Sequence, residues 1–387
     1  MSSSPNAQGH AHGDAPVIVG ALRTAVGTSG KAFADVPASE LAAPVVAALA
    51  ASLPGLSPRD VVLGNCMGPG GDVARVAALT AGLPVEVPAL TVDRQCGSGL
   101  AAIDVAVSML HRSPGLVLAG GVESPSTAPW RFWPPAGGEE PVRYERAAFA
   151  PASHGDPEMG LAADLLAEKH GVGRRRQDEY AARSHARAAR TRDAGGFDAE
   201  VVPVAGVLRD ERPRHGLDAE RLGRLRPAFR DGGTVTVGNS CGVNDGAAAV
   251  ALVDARTHAE LGLPGLRVLA TATSGVDPQL PGIGLVPAAR AALDRAGVSV
   301  ADLDVIELNE AFAGQVLACC DELGLDEERV CVEGGALALG HPWGASGAVL
   351  AVRLFSQLVR ADSGELGLAA IAVGGGQGVA MVVQRCR

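Results

Sequence analysis

ALTVDRQCGSGLAAIDVAVSML, residues 89–110, holds three structural signals in one line. ALTV is a short apolar and β-branched run of the kind that forms a buried strand. QCGSG is a tight turn whose glycines let the backbone approach a ligand or a neighbouring segment. LAAIDVAVSML then repeats its apolar residues at helical spacing for about three turns. A strand feeding a helix in this way is the unit of parallel α/β packing. The neighbouring sequence repeats the unit. APVIVGALR (15–23) and DVVLGN (60–65) read as strands, and ELAAPVVAALAASL (40–53) and VARVAALTAGL (73–83) as helices. PGLVLAGGVES (114–124) returns as a buried strand.

The last third has the same texture. GGALALGHPWGASGAVLAVRLFSQL (334–358) gives a glycine-rich turn and an apolar helix, and LGLAAIAVGGGQG (366–378) a strand and a glycine turn. CGSGLAAIDVA aligns with WGASGAVLAVR, and GLVLAGGVES with GLAAIAVGGGQG. The expected fold is therefore α/β with two related halves that share central helices. Residues 15–123 plus 231–256 form the first half and 257–387 the second. Residues 124–230 differ, being rich in charge and carrying Trp130, Trp133 and Tyr144. They read as an inserted lid or specificity domain, in which RRRQDEYAARSHARAARTRDAGGF (174–197) is a solvated amphipathic helix ending at a glycine pair. Residues 1–14 have no basic and apolar leader pattern and read as a disordered tail.

A chain of 387 residues, 47% apolar and 20% charged, suits a soluble globular enzyme. Its net charge of −10 argues against a general nucleic-acid binder. No apolar run is long enough to span a bilayer. Seven irregularly spaced cysteines suggest neither a disulfide scaffold nor a zinc site, and the cytoplasm is the expected compartment.

Three stretches carry chemistry. Cys96 sits between a strand and a helix start, where helix N–H groups favour a thiolate, so it reads as a nucleophile rather than an inert buried thiol. Ser98 lies in the same turn. His341, in the glycine-rich loop GGALALGHPWGASG, could take the Cys96 proton to give a thiolate–imidazolium pair, or could be a loop histidine without catalytic duty. Asn309 and Glu310, in IELNEAFAG, follow a buried strand, where parallel α/β folds build sites. Glu310 could orient an imidazole and Asn309 a water or carbonyl, or the pair could serve only as helix caps.

In order and spacing, VDRQCGSGL, GTVTVGNSCGVNDGAAAV, ELNEAFA, GGALALGHPWGASG and VGGGQGVAMV resemble the thiolase family, as do GGVES, EMGLAADLLAEKHGV and LRPAF. The resemblance runs from about residue 15 to residue 385. It implies a five-layer αβαβα core with an inserted loop domain, and assembly as a homodimer or homotetramer. It also implies an acyl-CoA or acyl-carrier thioester as substrate and no tightly bound cofactor or metal. On this chain it makes Cys96 the acyl-accepting nucleophile and His341 its activator. Asn309 would hold a water for one oxyanion hole, and Gly374 with the Cys96 amide would form a second. Arg214, Phe229, Met159 and Cys241 would lie along coenzyme A.

The pattern breaks at Ala372. Family members have a second catalytic cysteine there, before the Gly374–Gly376 run, which moves the α-carbon proton of the second acyl-CoA. A positioned base contributes about 10²–10⁴-fold. Acyl transfer through Cys96 is therefore expected to survive, while ordinary acetyl-CoA acetyltransferase activity is weakened. The alternatives are a malonyl-type decarboxylative condensing enzyme and a non-catalytic acyl-CoA-binding or scaffold paralogue. Cys66, which follows a predicted strand, is the better-placed substitute thiol. Cys319 and Cys320 lie along the helix after the Asn-Glu motif, and Cys386 beyond the last predicted strand. Cys241, Glu333 and Glu158 also depart from the common pattern, a buried carboxylate near an anionic substrate being costly unless paired. PWRFWPPAGGEEPVRYERAAF (129–149) is expected to shape the acyl pocket, or its Trp130 and Trp133 to seal the insert against the core.

Overall fold

The computed structural model describes residues 12–135 and 137–387. Most of the 1–14 tail lies outside them, and His12–Asp14 form a single 3₁₀ turn. In the first half, strands β1 (Val17–Arg23) and β2 (Gly27–Thr28) precede helix α1 (Ala38–Ala51). Then come β3 (Pro58–Gly64), α2 (Val73–Thr80), β4 (Ala89–Val92), α3 (Ser98–Arg112) and β5 (Leu116–Glu123). The next segment carries the hairpin β6 (Arg131–Trp133) and β7 (Val142–Tyr144), then α4 (Met159–Lys169), α5 (Arg174–Asp193) and α6 (Ala219–Gly223). After it follow β8 (Asn244–Val253), α7 (Ala255–Leu261), β9 (Gly265–Gly275), α8 (Leu285–Ala296) and β10 (Val305–Leu308). The chain closes with α9 (Ala313–Leu323), α10 (Ala336–Leu339), α11 (Trp343–Phe355), β11 (Leu366–Val373) and β12 (Gln377–Cys386). Cys386 thus belongs to the last strand rather than lying beyond it, and pairs with Gly265.

The strand order is β10-β11-β12-β9-β1-β8-β5-β3-β4. Its two halves meet where β1 pairs β9 over only two residues, Val17↔Arg267 and Ile18↔Leu266. β3 pairs in parallel with β4 and β5, and β10 with β11, as strand–helix–strand units require. α3 and α11 lie between the two half-sheets and bury their apolar faces in one shared cluster with strands of both. α1 and α2 cover the outside of the first half, and α8 and α9 that of the second. The layers run α, β, α, β, α. With few aromatics, the core depends on close backbone approach. A β carbon on Gly99 of α3 would stand 2.7 Å from the Ala348 nitrogen of α11, and one on Gly347 would stand 2.5 Å from the Leu100 nitrogen. Only glycine at both crossing points lets the central helices meet so closely.

α5 is less solvated than its charge suggests, because Tyr180, Ala181, Ser184, His185, Ala188 and Ala189 face inward. Trp130 and Trp133 do not seal the insert. They are 73% and 54% exposed, Trp133 stacking on Tyr144 and Trp130 lying under the Arg143 guanidinium.

Candidate active site

Cys96 ends a turn held under strain. Gln95 has φ +44°, a left-handed conformation that costs a non-glycine residue about 1 kcal/mol. The cost is met by hydrogen bonds. The Gln95 carbonyl accepts from the Ser98 hydroxyl at 2.6 Å and the Cys66 thiol at 3.1 Å. Ser98 Oγ in turn accepts from the Arg94 N–H at 2.8 Å, and Asp93 Oδ1 accepts the Gln95 N–H at 2.8 Å. Ser98 is therefore a buttress of the Cys96 turn. Gly97 brings the other half in. A β carbon there would lie 2.6 Å from Val373 Cγ2. Its absence lets the β11–β12 turn approach the Cys96 turn, and the N–H groups of Gly374 and of Cys96 itself favour the charged form of the thiol.

His341 precedes α11 as Cys96 precedes α3, and the Gly99/Gly347 crossing brings these helix starts together. The Asn244 side-chain oxygen accepts the His341 backbone N–H at 3.0 Å. Ser346 Oγ donates to the Pro342 carbonyl at 3.0 Å and lies 2.6 Å from His341 Nδ1. With its own proton committed, Ser346 accepts from Nδ1–H, which leaves Nε2 as the basic nitrogen. Asn309 Nδ2 lies 3.5 Å from Nε2. Glu310, which from sequence could orient an imidazole or serve near a helix cap, turns elsewhere in the structure. The Glu310 carboxylate accepts from Tyr180 (2.9 Å), Ser184 (2.7 Å) and the Leu337 N–H (3.2 Å), tying α5 to the His341 loop. Helix α9 begins only at Ala313, so neither Asn309 nor Glu310 caps it.

The electrostatics also differ from the sequence expectation. Burial pushes the Cys96 thiol up to about 12, outweighing the Cys96 and Gly374 N–H donors, and Glu123 and Asp93 add to the rise. Burial lowers His341 to about 3. Both shifts favour the neutral forms, thiol and imidazole. A helix start is legible in sequence, whereas the loss of water around a charge is not.

The other cysteines divide into two groups. Cys66 and Cys241 are close enough to Cys96 for its charge to raise both, although burial is the larger cause. Cys319, Cys320 and Cys331 are packed in the second-half core, and Cys386 lies near His258. Among the expected coenzyme A residues, half-buried Met159 opens α4, and Phe229 covers Gly160 while meeting Phe312 edge-on at 6.1 Å. The Cys241 N–H bonds the Ala311 carbonyl at 2.9 Å, beside that aromatic pair. Arg214 is exposed, with its charge acting on His185 and Arg212. The two carboxylates flagged as costly are paired, Glu333 with buried Arg353 and exposed Glu158 with Arg146.

Sequence reasoning missed Glu123, fully buried at the end of β5. Its carboxylate accepts from Asn65 Nδ2 and the N–H groups of Met67 and Gly344, each at 3.0 Å, and of Cys66 at 3.1 Å. One side chain therefore fastens the Cys66 loop of the first half to the start of α11 in the second.

Residues 16–256 match the family described as thiolase, N-terminal domain, and residues 264–385 the family described as thiolase, C-terminal domain. The chain is 43% identical to an acetyl-CoA acetyltransferase of Pseudomonas aeruginosa over 95% of its own length and 99% of the relative's. It is 42% identical to one of Chromobacterium violaceum over the same shares. The crystal structure of the Bacillus anthracis acetyl-CoA acetyltransferase superposes with a TM-score of 0.88 at 37% identity, over 96% of this chain and 99% of that one. Human mitochondrial 3-ketoacyl-CoA thiolase superposes with a TM-score of 0.91 at 34% identity, over 97% and 100%. Paired α/β halves, a cysteine and a histidine at the starts of the two central helices, and both domain matches lead to one assignment: the chain belongs to the thiolase family and is an acyltransferase.

Proposed function

We propose that the chain takes an acyl group from a coenzyme A thioester onto Cys96 and passes it to an acceptor, with carbon–carbon chemistry weakened by Ala372. What supports this reading is the half-buried Cys96 thiol just before α3, with the Val373–Gly374 turn packed on Gly97 and the backbone N–H groups of Cys96 and Gly374 favouring its charged form. As that sulfur attacks the thioester carbonyl, the two donors take the developing oxyanion. His341 Nε2 takes the thiol proton. The bond to the departing coenzyme A sulfur then breaks, and that sulfur leaves with the proton. Asn309, beside Nε2, holds a water for the second oxyanion site. Met159, Phe229, Arg214 and Cys241 line the coenzyme A path.

Ala372 removes the second base, so a malonyl-type donor that loses carbon dioxide to form its carbanion suits this site better than a donor needing deprotonation. A second copy of the chain is the proposed partner. β4 ends the sheet, and Leu90 on it is 39% exposed. All seven cysteines are unpaired, in keeping with the cytoplasm. Intact-protein mass spectrometry with acetyl-CoA tests the reading. An acetyl adduct that disappears in Cys96→Ala supports it, and no adduct with any acyl-CoA tried sinks it.

A further inference from the structure

Phe149 reaches from the inserted segment into the turn that carries Gly374. A β carbon on Gly374 would stand 2.8 Å from the Phe149 ring, and one on Gly375 would stand 2.7 Å from the Phe149 carbonyl oxygen. The same turn packs on the Cys96 turn, a β carbon on Gly97 standing 2.6 Å from Val373 Cγ2, and the Gly374 N–H favours the charged form of the Cys96 thiol. An acyl group on that sulfur, with its oxygen on this donor, lies beside the turn. Ala372, Gly374, Gly375 and Gly376 give the turn no bulk, so the ring supplies it. The ring is also braced. The Arg146 guanidinium lies 4.6 Å from its centroid. Asp156 holds Arg146 with contacts of 2.9 and 3.0 Å, and Glu158 adds one of 3.3 Å. Asp156 also accepts the Phe149 N–H at 3.3 Å. A half-buried aromatic fixed from behind by an arginine and two carboxylates is a wall rather than a loose cover.

We infer that Phe149, positioned by Arg146 and Asp156, limits the length of the acyl chain that Cys96 accepts, restricting the enzyme to short acyl-CoA thioesters. This rests on the acyl-Cys96 reading above. The step itself is thioester exchange: the acyl carbon gains a bond to Cys96 sulfur, loses its bond to coenzyme A sulfur, and the thiol proton moves to coenzyme A.

The test is competition between acetyl-, butanoyl- and octanoyl-CoA for the full-length enzyme, with adducts read by intact mass. The native chain should carry acetyl and butanoyl groups. Phe149→Ala should raise the octanoyl-to-acetyl ratio at least tenfold. Arg146→Ala, which frees the ring without removing it, should raise the ratio less. Phe149→Trp should lower the butanoyl share, which a merely structural role for the ring would not do. If the native chain labels with acetyl while both Phe149 variants leave the ratios within twofold of it, the inference is overturned. If none of the three thioesters labels the native chain, the acyl-Cys96 reading falls first and this one with it.

Discussion

The surroundings of Cys96 favour its thiol form. With burial holding the thiol up at about 12, thiolate is scarce at neutral pH. Iodoacetamide alkylation of the free enzyme is expected to rise about tenfold per pH unit from about pH 6 to pH 10 without levelling off, since thiolate grows in that proportion below the pKa. A plateau near pH 7 would mean a preformed thiolate. Ala372 makes a second prediction. Ala372→Cys should raise acetoacetyl-CoA thiolysis by about 10²–10⁴-fold, the usual worth of a positioned base. An unmodified chain that cleaves as fast as the variant would show that another group moves the proton. At this scale the sequence was informative about residues whose duty is local. Cys96, Ser98 and His341 could be picked out from their turns. Glu123 and Phe149 could not, because the groups they meet lie in distant segments. Glu310 was open to two readings, imidazole support or a helix end, and takes neither: an acid next to Asn309 in sequence turns its carboxylate to α5.

At the scale of elements, the strand–turn–helix units were legible because small and β-branched residues repeat with clear periods, as in β5 and α3. The seam between the halves was not, since it depends on contacts across the whole chain. Glu123 is its central tie. Burial raises its carboxyl, while the N–H groups of Met67, Gly344 and Cys66 lower it. Glu123→Ala strands these donors and that of Asn65, and orphaned buried donors cost about 1–3 kcal/mol each. The variant should lose about 3 kcal/mol or more of stability by chemical denaturation, whereas exposed Glu86→Ala should stay within about 0.5 kcal/mol. Equal denaturation midpoints for the two would remove Glu123 from this role.

Across the whole molecule, buried charge joins three regions. Arg23 of β1 bonds Glu200 and Asp210, and Arg353 of α11 bonds Glu200 and Glu333. Burial alone would raise Glu200, but Arg353 and Arg23 hold it below its ordinary value of 4.5. Its contribution to stability is therefore present above pH 4.5 and is lost as pH falls further. Glu307 works in the opposite direction. Burial pushes it from 4.5 up to about 7 despite Arg353 and a 2.7 Å bond from Gln357. Its contribution is complete below pH 4.5 and is lost as pH rises through about 7. Glu307→Gln should accordingly stabilise the fold at about pH 8, by about 3 kcal/mol at most, and change little near pH 4. Equal effects at both values would assign the change to packing.

The interlocked α3 and α11 also set an order in time. A ribosome releases the cysteine early and the histidine near the end of synthesis. Until the last third of the chain has emerged and α11 has packed against α3, the thiol lacks the histidine proposed above as its base. On the proposed reading, a half-made polypeptide therefore cannot draw on the cell's thioester pool, and only the finished product begins to trade in acyl groups.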